Sequence, residues 1–254
     1  MSTISKSDAV VLKSLKYRES SKIVAFYTRG FGKLTGIVKG ALRPRSRYGS
    51  SLEPMSYVNL VFYRKEGRDI QTISECDTIK SFRRLSEDLD LMAAGMTIIE
   101  LVDLVAYGEV ENIPVFNLLV DSLESLNTIP GSPSGILYHF ELHLARALGF
   151  GPSFGDCVSC GSDRTVCFHI SMGGLLCAKC ASLPGQTVKM SGGTVDLLRR
   201  LAGSRGSDKL PQSEITPREA EETDKFLWTY LRFHVSGIRN LKSSGVFSKI
   251  RAPA

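Results

Sequence analysis

The chain has 254 residues, 43% of them hydrophobic, and a formal net charge of +6. That apolar share is ordinary for a soluble globular protein, so composition excludes wholesale disorder and length leaves room for one principal body with smaller modules attached. The longest apolar stretch, LMAAGMTIIELVDLVAY, contains Glu100 and Asp103 and is too short to cross a bilayer; MSTISKSD lacks the layout of a secretory signal, and the expectation is a cytoplasmic protein with no membrane attachment.

From Asp8 to about Ile79 the chain reads as short strands, DAVVLKSLKYR, KIVAFYTR, KLTGIVKGAL, SYVNLVFYRK and IQTISECDTI, separated by Gly30-Phe31-Gly32, Arg43 to Pro54 and Glu66-Gly67-Arg68. Five short strands suit a small barrel of the OB type. An SH3-like barrel carries much the same signature, so strand number alone does not choose between them.

Charge is concentrated in this part. Up to Arg84 basic residues outnumber acidic ones by more than two to one, whereas Ser86 to Glu124 is acidic, so an anionic partner is expected at the N-terminal part. Lys33, Lys39, Arg43, Arg45 and Arg47 crowd into one strand and the loop after it, and Arg64, Lys65 and Arg68 decorate a later hairpin. Such groups can neutralise several phosphates, and the interleaved Tyr48, Tyr57, Phe62 and Tyr63 offer faces for base stacking. Strand alternation assigns Phe62 to the core. The plainer alternative is a solvated basic surface.

After Arg84 the period changes. Leu85, Leu89, Met92, Met96, Ile99, Val102 and Val105 or Ala106 recur at helical steps and predict one buried face. A second helix starts near Asn112 with Pro114 in its first turn, and a third spans about Pro133 to Leu148 and stops at Gly149. SGGTVDLLRRLAG predicts another, SRGSDKLPQSEI a loop, and Thr216-Pro217-Arg218-Glu219 a capping box that opens a last helix before a basic tail.

Cys157-x2-Cys160 and Cys177-x2-Cys180 interrupt the helical region at a spacing suited to a tetrahedral thiolate site for one zinc ion. Four thiolates leave no open position, so the expected role is to staple a small hairpin. Cys167 and His169 lie between the pairs and could substitute as ligands, but read first as packing residues. Neither pair follows a strand and opens a helix, which argues against redox use.

No phosphate loop, nucleophile elbow or dinucleotide fingerprint is present, and no catalytic residue is assigned. His139 and His143 stand four apart, but Glu141 points away from their shared face, and both read as exposed or half-buried surface residues. A zinc-dependent enzyme would need the coordination position that four cysteines deny. A zinc-containing adaptor that binds proteins through its helices, without annealing DNA, is the other alternative.

Two stretches are familiar together. RPRSRYGSSLEPMSYVNLVFYRKEGRDIQTISECD resembles the barrel signature of the RecO family of bacterial recombination mediators, and FELHLARALGFGPSFGDCVSCG with GGLLCAKC resembles that family's helix-to-zinc junction. The similarity runs in order along essentially the whole chain. His143 stands where the family often carries a lysine. The resemblance implies an α+β protein with an N-terminal OB-fold β-barrel at residues 1–80 and a helical domain at 81–254, with a four-cysteine zinc module inserted at about 155–185. It implies binding of single- and double-stranded DNA, annealing of complementary strands, and loading of RecA with RecR onto DNA coated by the single-strand binding protein SSB, whose C-terminal tail is a further partner. The expected DNA-binding residues are Lys33, Lys39, Arg43, Arg45, Arg47, Tyr57, Arg64, Lys65 and Arg68; the expected metal ligands are Cys157, Cys160, Cys177 and Cys180.

Overall fold

Alternation of apolar and polar residues closes the first five strands on themselves. β1 (Thr3–Tyr17) is long enough to serve two neighbours: Thr3 to Val10 pair with β4 (Tyr57–Arg64), and Ala9 to Tyr17 pair with β2 (Ser21–Thr28). The register shifts between Val11 and Lys13, where the strand bends from one neighbour to the other. β3 (Gly32–Val38) pairs antiparallel with β2 and parallel with β5 (Ile70–Lys80), which returns to β4. The result is a closed barrel in the order β1-β2-β3-β5-β4, the OB-type arrangement that strand number had left undecided. Its core includes Val11, Val24, Phe26, Leu34, Leu60 and, as alternation predicts, Phe62.

The structure is a computed structural model and describes residues 2–130, 132–204, 206, 215–235 and 238. Packing divides the chain into a unit built on Met1–Thr128 and another built on Ile129–Asn240. In the first, α1 (Arg83–Glu87), α2 (Leu89–Val105) and α3 (Ile113–Thr128) join the barrel. Phe116 of α3 is the anchor: its ring stacks on buried Tyr27 and meets Tyr57 edge-on, with centroids 6.4 and 6.2 Å apart. A division near residue 80 separates strands from helices, whereas these contacts extend the packed unit to Thr128.

The helical face predicted after Arg84 is interrupted. Asp88 takes an extended conformation, and its carboxylate accepts from the N–H groups of Asp90 and Leu91, so the helix restarts there in a new phase. Leu89 and Met96 therefore lie outward, at 73% and 36% exposure, and the buried face is Leu91, Ala94, Ile98, Leu101, Val102 and Val105. The expectation of one continuous face from Leu85 is corrected accordingly.

The second unit holds α4 (Ser134–Ala147), a hairpin of β6 (Thr165–His169) and β7 (Gly174–Cys177) with β8 (Thr187–Val188) on its other edge, then α5 (Gly192–Gly203) and α6 (Pro217–His234). α4 is followed by Gly149 at φ +93°, a conformation costly for any side chain. α6 opens with the full capping box of Thr216 and Glu219. Glu222 ties α6 to the start of α5 by accepting from the Thr194 hydroxyl at 2.6 Å and the Ser191 N–H at 2.8 Å, bonds that hold its carboxyl down at about 2. Aromatic rings of Phe154, Phe168, Phe226 and Tyr230 form the core between hairpin and helix. Residues 207–214 of the expected loop, and the basic tail from 239 on, lie outside the described residues. No helix among the described residues is long and apolar enough to cross a membrane.

Candidate nucleic-acid interface and metal centre

The barrel cations fall into two groups at opposite ends of β3, separated by six residues of strand or roughly 20 Å. At its far end lies the connection from Lys39 to Ser56. It is held to the barrel by Tyr48 and Leu52, which are buried in the barrel core at 6% and 1% exposure. Ser51 bonds Thr78 at 3.0 Å, and the Arg47 guanidinium donates to the Ser74 carbonyl and to the Tyr48 hydroxyl. Tyr48, considered from sequence as a stacking face, is thus part of the core, because the loop folds back over the barrel mouth and needs an apolar plug there.

What this plug displays is charge. Lys39, Arg43, Arg45 and Arg47 are exposed, with Arg43 and Ser46 closing successive turns and Arg45 at φ +61°. Among the described residues, Lys39, Arg43 and Arg45 form no ion pair. Sequence reasoning missed one neighbour. The Leu42 N–H donates to the Ser20 carbonyl at 3.0 Å, bringing the β1–β2 turn and its Arg18 beside the arginine loop. Arg18 is more than twenty residues away in the chain, and only the antiparallel pairing of β2 with β3 reveals the proximity.

At the near end of β3, Lys33, Arg64, Lys65 and Arg68 line a cleft of about 550 Å³ with Gln71 and the α2–α3 connection. Two of these cations are engaged. Lys33 Nζ stands 2.7 Å from Asp103 Oδ1 and donates to the Asp103 carbonyl at 2.8 Å, and Arg64 pairs with Glu109 at 3.0 Å. Tyr57 is half-buried against Phe116, with its hydroxyl 3.5 Å from Asp8. Tyr63 is 43% exposed on the same strand.

In the second unit, the sulfurs of Cys157, Cys160, Cys177 and Cys180 all lie within 4.8 Å of one another. Cys160 Sγ is 3.6 Å from Cys177 Sγ, far from a disulfide and close to the roughly 3.8 Å edge of a tetrahedron with ~2.3 Å metal–sulfur bonds. The first pair sits in a turn closed by the Gly161 N–H on the Cys157 carbonyl, and is fixed to the hairpin by the Val158 N–H on the Leu175 carbonyl. Backbone N–H groups aim at the sulfurs: those of Cys177, Ser159 and Cys160 lower Cys157 and those of Cys180 and Lys179 lower Cys177, while Cys160, surrounded by the other three sulfurs, is pushed up and keeps its proton until a cation joins them. The donor set therefore suits a metal ion that binds thiolates. Cys167 is buried in the adjoining core, and His169 is buried with Nε2 bonded to the Pro184 carbonyl at 3.1 Å, so both pack as expected.

Of the two histidines on α4, His143 is half-buried as expected and His139 is not. His139 is 3% exposed, not at the surface, and its ring centroid is 4.1 Å from that of His143. Helix α4 is apolar nearly all round, which draws His139 inside.

Family models described as Recombination protein O N terminal and Recombination protein O C terminal match residues 1–82 and 86–244. A DNA repair protein RecO of Symbiobacterium thermophilum is 30% identical over 250 residues, covering 96% of this chain and 97% of that protein. One from Chlorobium limicola is 32% identical, covering 91% and 93%. One from Salinibacter ruber is 40% identical over a shorter span, 59% of this chain and 58% of that protein. An OB-type barrel followed by helices and a four-cysteine cluster, matched in order by both models, places this chain in the RecO family.

Proposed function

We propose that the chain is a non-catalytic, cytoplasmic mediator of DNA repair and recombination that binds single- and double-stranded DNA, joins the nucleoid when bound, and anneals complementary strands. The observation that carries this reading is the cationic loop on the barrel mouth: Arg43 and Arg45 are exposed and unpaired among the described residues, yet the loop is fixed by buried Tyr48 and Leu52. A preformed set of cations binds phosphate without the ordering cost that a floppy arm would bear, and displaced counterions supply the driving force. Neutralising phosphates on two strands lets them approach, which is what annealing requires.

Lys39, Arg43, Arg45, Arg47, Lys65 and Arg68 are the proposed first contacts, with Arg18 added from the fold. Lys33, Arg64 and Tyr57 are already held by Asp103 of α2, Glu109 of the α2–α3 connection and Phe116 of α3. The four cysteines are proposed to hold a structural zinc ion, with all four positions filled by sulfur. Cooperation with RecR in loading RecA, and docking of the SSB tail, come from the family resemblance.

Fluorescence binding and annealing assays on Arg43→Ala/Arg45→Ala/Arg47→Ala test the reading. Losing about three phosphate contacts should weaken single-strand binding roughly tenfold or more and flatten the salt slope by about 2. Unchanged binding and annealing would instead favour a protein-binding adaptor, and metal-dependent cleavage of the strand would favour an enzyme.

A further inference from the structure

The cleft at the start of β3 already has an anionic occupant, supplied by the chain itself. The connection Ala106–Asn112 lies directly on β3. A Cβ on Gly32 would stand 2.3 Å from the Val110 carbonyl oxygen, and the Lys33 N–H donates to the Gly108 carbonyl at 3.2 Å. From this strap, one carboxylate oxygen of Glu109 accepts from Arg64 Nε at 3.2 Å and Nη2 at 3.0 Å. The other stands 3.5 Å from Gln71 Nε2.

Two N–H groups of one guanidinium converging on an anion is how arginine also takes a phosphate oxygen. Lys65 and Arg68, which form no ion pair among the described residues, stand on the same cleft. Lys33 is a different case: besides its ion pair it is bonded to the Asp103 carbonyl, and its own N–H is bonded to the strap, so it serves as a clamp.

We propose that Glu109 is an internal competitor for the sugar-phosphate backbone, holding the Arg64 subsite in the free protein and yielding it to a phosphate when a strand enters the cleft. The inference rests on the DNA-binding reading above. Side chains of Arg64 and Glu109 are 37% and 33% exposed, and a pair so open to water is weakly held, so exchange for a polyanion is nearly balanced. Contact would then begin at the arginine loop and extend to the cleft, along the length of β3, only as Glu109 is displaced. The arrangement limits the protein's grip on isolated phosphates while leaving longer strands able to engage both ends.

The test is anisotropy titration of a fluorescent single strand against the full chain carrying Glu109→Gln, which keeps the side-chain shape. Glu66→Gln is the control, removing one charge from the same cleft wall without touching Arg64. Expected are about threefold tighter binding at low salt and a salt slope steeper by about 0.7 for Glu109→Gln, a smaller gain for Glu66→Gln, and loss of the gain in Glu109→Gln/Arg64→Ala relative to Arg64→Ala alone. Equal gains from the two glutamates, or a gain that persists without Arg64, would overturn the competitor and leave the DNA-binding reading standing. A full chain that binds no strand would remove both.

Discussion

His139 is a residue whose surroundings make stability depend on pH. It is buried on α4, the neighbouring His143 donates its Nε2–H to the Leu201 carbonyl at 3.2 Å and not to His139, and neither His139 ring nitrogen has a well-formed hydrogen bond among the described residues. Burial first, and then the nearby His143, push its pKa down to about 4. The unfolded chain takes up a proton below about 6.5 and the folded chain does not until about 4. Stability is therefore full above pH 6.5 and falls as pH drops toward 4, by roughly 3 kcal/mol at most. His139→Phe should flatten this window in urea melts at pH 7, 5.5 and 4.5; a variant with the same pH slope as the wild type would show that the acid sensitivity lies elsewhere.

At the scale of elements, the cysteine end of the ribbon, unlike the Phe168 face that packs on Phe154, Phe226 and Tyr230, cannot hold itself together by burial. Its core beside the sulfurs amounts to Cys157, Cys167, Leu176 and Cys177, with Cys180 and Ala181 partly covered. So small a cluster depends on a cross-link, and the four converging sulfurs provide one only when an ion neutralises their charge. The full chain should carry one zinc ion by atomic absorption, and a strong chelator, or Cys157→Ser, should remove it and open residues 155–190 to limited proteolysis. The first unit should resist cleavage, since none of its residues belongs to the ribbon. Full protection after chelation would mean that metal is not the staple.

At the scale of the molecule, the question is where the barrel ends as a folding unit. Cutting after residue 82 keeps all five strands but removes Phe116, uncovering Tyr27, which is only 3% exposed in the whole chain, together with Tyr57. It also removes Asp103 and Glu109 from Lys33 and Arg64. A fragment of residues 1–128 should therefore melt more cooperatively, and on the order of 3 kcal/mol more stably, than one of residues 1–82, counting one buried aromatic contact set and two partly exposed ion pairs. Equal melting of both by circular dichroism would show the barrel to be independent of its helices.

The five strands, most helix positions and the four ligand-type cysteines were determined by sequence alone, because alternation, capping residues such as Thr216 with Glu219, and C-x-x-C spacing are local patterns. The restart at Asp88 was not legible, since a capping carboxylate inside a helical period leaves the period formally intact while shifting its phase. Nor were the fates of Tyr48, Lys33 and Arg64, each set by a partner far away in the chain: the barrel core, Asp103 and Glu109. The burial of His139 was set by the helices that pack against α4. Sequence fixes which groups carry charge; only the closing of the barrel and the packing of α2 and α3 upon it decide which charges face water and which are already spoken for, because electrostatic pairing depends on separation in space.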